Sequence, residues 1–286
     1  MARSSPHLAV LLLGFASGCV HQGATSQTAA DNTLRYAFSV TATTGCTLRD
    51  PDGTEPATST GPAGKLAWSG TIQQVPTRRF RDGSQGAQIR FGDVSLSQGD
   101  GQTVPSDLSG LSVELRSFGD RDILAIDQLE HLVGEGLWGD QMLALWPALS
   151  PSVPELEPGE TTRRRSSLPF TLDSGMGMPI AFDLDWSLEG PVACGQTSCW
   201  QLRYAGPASG RGLERTESWL TKYRLSGQAS GALLLAVEDH TIVESELTLA
   251  LELETDLFDP ATQTPRGSIL MDLHQHAILT RTQEAQ

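Results

Sequence analysis

Apolar and polar residues alternate along most of this chain. Leu247, Leu249, Leu251 and Leu253 take every second position, with Thr248, Ala250 and Glu252 between them. Successive side chains on a strand point to opposite faces, so this stretch predicts a strand with one leucine face. The preceding segment, Ala229 to Val237, is apolar at both phases. Between the two lies Glu238-Asp239-His240-Thr241, whose residues suit a tight turn. The pair reads as a hairpin whose leucine face needs cover from the rest of the chain.

The same period recurs on both sides. Leu34, Tyr36, Phe38 and Val40 predict a first strand, and Lys65 to Val75 a second with Leu66, Trp68 and Ile72 on one side. Gly86 to Ser97 predicts a third, whose phase slips between Phe91 and Val94 as a bulge at Gly92 would cause. Leu111, Val113 and Leu115 mark a fourth. The period then changes: Ile123, Ile126, Leu129, Leu132 and Val133 fall at helical spacing, and Asp140 is placed to cap a second short helix that Pro147 ends. Ser150 to Thr161 is a proline-rich connector.

Beyond it, strands are expected over Thr162–Leu172, Ile180–Leu188, Trp200–Tyr204, Trp219–Leu225, the hairpin, and Ser268–Thr280. Pro207–Arg215 and Phe258–Gly267 read as loops. This gives about four strands before the helices and seven after them. The expected fold is mainly β: one large curved antiparallel sheet, half-barrel-like, with one or two short helices near the middle of the chain. Residues 34–150 form an N-terminal β half and 151–281 a C-terminal one, read as a single continuous domain with a tail at 282–286.

The formal charge of −14 excludes nucleic acid as a partner, because so acidic a surface repels phosphate. The N-terminus names a compartment. Arg3 is followed by a short apolar run, Leu8 to Phe15, then Ala16-Ser17-Gly18-Cys19. The run is too short to span a bilayer and reads as an export signal over 1–18. A small polar tether follows over 19–33.

Ala16 to Cys19 resembles the lipobox of bacterial lipoproteins, with Ala16 where leucine is commonest. That resemblance implies lipidation of Cys19 and a membrane partner through that anchor. The absence of aspartate after Cys19 implies the outer membrane. Cleavage after Gly18 as an ordinary secretory signal, giving a soluble secreted protein, is the alternative. Cys46 is left over if Cys19 is lipidated, and is a partner for Cys19 if it is not. The order of strands and helices resembles the periplasmic lipoprotein-carrier fold shared by several lipid-binding lipoproteins. Leu145 to Leu253 resembles uncharacterised secreted bacterial lipoproteins, which bring no activity with them.

Candidate chemistry is sparse. Cys194 and Cys199, with four residues between them and strands on either side, suit a disulfide across a hairpin mouth in an oxidising compartment. Asp272, His274 and His276 alternate on one strand and so share a face, as metal ligands or as a solvated stripe, with His240 a further ligand. Asp173-Ser174-Gly175 matches an aspartic-protease triplet, has no second copy, and reads as a plain turn. Arg78-Arg79-Phe80-Arg81 and Arg163-Arg164-Arg165 suit an anionic headgroup, an acidic partner, or local ion pairs. No nucleophile elbow, phosphate loop or zincin motif occurs, so no catalytic residue and no cofactor is assigned. The expectation is a non-catalytic, lipid-anchored envelope protein that binds an apolar or amphipathic ligand. The alternatives are an assembly lipoprotein that binds another envelope protein, and a carboxylate-dependent hydrolase.

Overall fold

The computed structural model describes residues 33–53, 64–79, 85–99, 102–106, 108–117, 156–171, 177–195 and 197–282. The export signal, Cys19, the expected helices over 123–149 and the Asp173 triplet lie outside the described residues. Residues Thr33–Gln286 form one compact unit.

The alternation read from the sequence becomes burial. In β1 (Leu34–Arg49), Tyr36, Phe38, Val40 and Ala42 are buried while Arg35, Ala37, Ser39 and Thr41 face solvent. Ten further strands follow: β2 (Gly64–Arg79), β3 (Gln85–Gln98), β4 (Thr103–Pro105), β5 (Ser112–Ser117), β6 (Thr161–Thr171), β7 (Gly177–Cys194), β8 (Thr197–Arg215), β9 (Leu220–Ala236), β10 (Ile242–Phe258) and β11 (Pro265–Arg281). Among the described residues there is no helix.

All eleven strands belong to one antiparallel sheet in the order β4-β3-β2-β1-β11-β10-β9-β8-β7-β6, with β5 also on β3. The pairing of β1 with β11 joins the two halves of the chain. On the free side of β3, β5 lies along Gln85–Arg90 and β4 along Ser95–Ser97. The sheet does not close, because β6 lies at one end and β4 and β5 at the other.

Buried residues from both halves gather into one core on one face, here the inner face. Phe38 and Phe91 meet edge to face across β2 with ring centroids 6.4 Å apart, and the Trp186 and Tyr204 rings lie 4.7 Å apart.

The bulge in β3 is present. Gly92 and Asp93 together oppose Thr71, so Phe91 and Val94 both face inward. The β4–β5 loop fastens it: Gly110 N–H donates to Phe91 O, and Ser109 Oγ both accepts from Val94 N and donates to Val94 O.

Three expectations need correction. Pro207–Arg215 is not a loop but the second half of β8. Proline lacks the N–H a central strand uses, yet the β7–β8 ladder skips Gly206 and Pro207 while the β9 ladder continues past them. Trp219–Leu225 and Ala229–Val237 are not two strands: β9 runs unbroken from Leu220 to Ala236 through Gly227. Among the described residues, six strands therefore follow the connector rather than seven, and five precede it, because the three-residue β4 carries no readable period.

Candidate functional site

The inner face is not evenly covered. One cross-strand row joins Ile180 on β7, Gly210, Leu225, Leu253, Met271 and Cys46 on β1. Ile180 is 0% exposed, Leu225 3%, Leu253 8% and Met271 39%. In the next row toward the strand ends, Leu48 opposes Ile269 and is 47% exposed. The apolar face thus leaves the packed core as it passes from β10 to β1, forming a rim of Cys46, Leu48, Ile269, Met271 and Leu273. Strand alternation dictates the membership: these side chains keep the inward phase set by Phe38 and Ala277.

A cleft of about 210 Å³ lies between the end of β1 and the β10–β11 turn, where Asp256 and Ser268 hold the phase opposite to that of the rim. Pro51, Leu257, Phe258 and Pro265 line it together with the carboxylates Asp50 and Asp256. Lys222 sits 4.4 Å over the Phe258 ring, and Arg224 lies 3.9 Å from Asp256. Within the core, the buried indole N–H of Trp68 has no acceptor among the described residues.

A second depression, of about 380 Å³, lies on the outer face. Its floor is small: Ser187, Ala205, Ser230 and Ala232, on β7 to β9. Asp185, Arg203 and Glu246 border it, and each already faces an opposite charge or a histidine: Arg163 at 4.0 Å, Glu189 at 2.6 Å and His276 at 2.9 Å. Exposed pairs of this kind contribute little to stability.

The residues singled out from sequence fall into three groups. Cys194 and Cys199 form the disulfide, with Cα atoms 5.8 Å apart, where β7 turns into β8. Asp272, His274 and His276 do share one face of β11, and it is the outer face, opposite the rim. His276 meets Glu246 rather than its two neighbours, and His240 stands in the β9–β10 turn at a φ of 56°. Among the described residues no group of three His, Cys, Asp or Glu is arranged to hold a metal ion. Of the arginine run, Arg163 forks onto Asp183 through Nε at 2.7 Å and Nη2 at 2.8 Å. That hydrogen bond is the main cause that holds the Asp183 carboxyl below its ordinary value.

Leu48 and Cys46 were missed as rim residues because the expected first strand stopped near Thr41. The signal was present: Thr44, Cys46 and Leu48 continue the phase of Tyr36 and Phe38. No protein-family model and no curated protein sequence matches the chain. No helix among the described residues is long and apolar enough to cross a membrane.

Proposed function

We propose that this protein is a non-catalytic, lipid-anchored protein of the bacterial envelope that binds an amphipathic ligand at the open end of its inner sheet face. The observation that carries the reading is the emergence of one apolar row from the core, from Ile180 at 0% exposure to Met271 at 39%. Isolated surface hydrophobes are ordinary, whereas a contiguous apolar rim continuous with a core marks a place that something covers.

Trp68, Phe91 and Phe182 are buried whereas the rim is exposed, so the ligand of this reading lies along the rim. The open antiparallel sheet is what the resemblance to the lipoprotein-carrier fold implies, and a half-barrel curvature is the finer form of that proposal. Cys19 is the proposed anchor, by its lipobox resemblance, and the outer membrane the proposed location.

The test is native mass spectrometry of the Cys19→Ser chain, exported to a periplasm and purified without detergent. A discrete added mass that vanishes on organic extraction, and that Met271→Glu with Leu48→Glu abolishes without altering the far-ultraviolet circular dichroism, is the expected result. A bare polypeptide mass, or an adduct indifferent to both substitutions, overturns the reading.

A further inference from the structure

The sheet ends at β6, and among the described residues no strand pairs its outer edge. An open edge offers a row of backbone N–H and C=O groups to any extended chain that fits. This edge carries Arg163, Arg164 and Arg165 in a protein with 34 acidic residues against 20 Lys and Arg. Its paired side shows what the run selects. The antiparallel register sets Arg163 opposite Asp185 and Arg165 opposite Asp183, with Leu184 between the two aspartates. Arg163 is held by Asp183, whereas Arg164 and Arg165 form no ion pair among the described residues. Arg165 acts on Asp183 only through its longer-range field.

We infer that the free edge of β6 receives an extended acidic strand from a partner protein, with carboxylates alternating with apolar residues as in Asp183-Leu184-Asp185. Backbone pairing would supply the attachment, and the arginines would select the strand and fix its register. A second copy of this chain is a poorer occupant. Antiparallel self-pairing centred on the run would set arginine against arginine, and like charges directly opposite destabilise a strand pair. The inference is independent of the proposed ligand, since β6 and the rim on β1 and β11 are on different strands. The competing role for edge arginines is to keep the edge unpaired, and that role makes the opposite forecast.

The probe is a fluorescein-labelled peptide with the sequence of Ile180–Leu188, added to the purified full chain. A control peptide has both aspartates replaced by asparagine. Fluorescence anisotropy gives affinity, and hydrogen exchange locates the contact. The expected results are saturable binding, slower exchange of β6 amides, and binding weaker by roughly fivefold or more for the asparagine peptide and for Arg165→Glu. The peptide control needs no protein variant, so it decides the matter even if Arg165→Glu fails to fold. Absence of binding, equal affinity for both peptides, or protection elsewhere than β6 would overturn the inference and leave the arginines as guards of the edge.

Discussion

Tyr204 on β8 donates its phenolic hydrogen to the carbonyl oxygen of Glu246 on β10, two strands away, at 2.9 Å. The bond is possible because the residue between them on β9 is Gly231, directly opposite both Tyr204 and Leu247. A Cβ at Gly231 would run into the Glu246 carbonyl and the Tyr204 ring. The ring covers the bare backbone, a device that also fixes register in a sheet too long for turns alone to do so. Tyr204→Phe is expected to cost about 1 kcal/mol, the net value of one hydrogen bond. Gly231→Ala is expected to cost more than about 2 kcal/mol, because the obstacle is backbone that cannot rotate aside. Urea unfolding of the two variants checks both the values and their order.

The same tyrosine and Tyr36 predict an alkaline limit to stability. Burial pushes Tyr36 up to about 12, the nearby Arg281 opposing the shift and Asp239 adding to it. Burial pushes Tyr204 up further still. A folded-state value above the unfolded one means that the native state holds its proton where the unfolded chain releases it. The stabilisation is complete below the unfolded value near 10 and is lost as pH rises toward 12. Each tyrosine should contribute a slope of about 1.4 kcal/mol per pH unit there. Unfolding free energies measured from pH ~9 to ~11.5 should fall accordingly, and Tyr36→Phe should flatten the fall by one proton's worth.

Strands with a single buried face were legible from sequence, because burial and alternation are the same fact. Ile180 to Leu188 and Leu247 to Leu253 are buried at every inward position read from the pattern. The phase slip at Gly92 was legible for the same reason, and the spacing of Cys194 and Cys199 announced their bond. Illegible features depended on neighbours. Pro207 reads as a breaker until the β7 ladder is seen to leave a gap opposite it. Gly206 shares that gap, since a Cβ there would strike the carbonyl of Asp183. The rim is illegible in a different way. Leu48 and Val40 share a phase, and only the sheet shows that one is half-exposed and the other covered.

Acid should weaken the turn between β10 and β11. The Asp259 carboxylate accepts hydrogen bonds from the backbone N–H groups of Thr262 and Ala261, each at 3.0 Å, and from Arg266 at 2.9 Å. The bond from Thr262 is the largest cause, followed by Arg266, and together they hold the group well below the usual carboxylate range. A depressed folded value contributes stability above the unfolded value near 4, and that contribution is lost as pH falls through the folded one. Asp259→Asn should therefore lower the thermal midpoint at neutral pH and weaken its decline between pH ~5 and ~2. An unchanged acid limb would show that the turn is not where acid acts.

The bond between Cys194 and Cys199 should matter less than its place in a long hairpin suggests. It closes a short loop, with a sequence separation of 5. Loop-closure entropy grows with loop length, so the unfolded chain loses only about 2 kcal/mol of freedom to it. The hairpin does not depend on it for register, because Val192 pairs with Cys199 and Cys194 with Thr197 through the backbone. Cys199 is fully buried while Cys194 is partly exposed. Alanine is thus the proper replacement, since serine would bury a hydroxyl. Cys194→Ala with Cys199→Ala should reduce the unfolding free energy by about 2 kcal/mol or less and leave the far-ultraviolet circular dichroism unchanged. Dithiothreitol on the unsubstituted protein should produce the same loss. A loss above roughly 4 kcal/mol would instead mean that the disulfide orders chain well beyond the loop it closes.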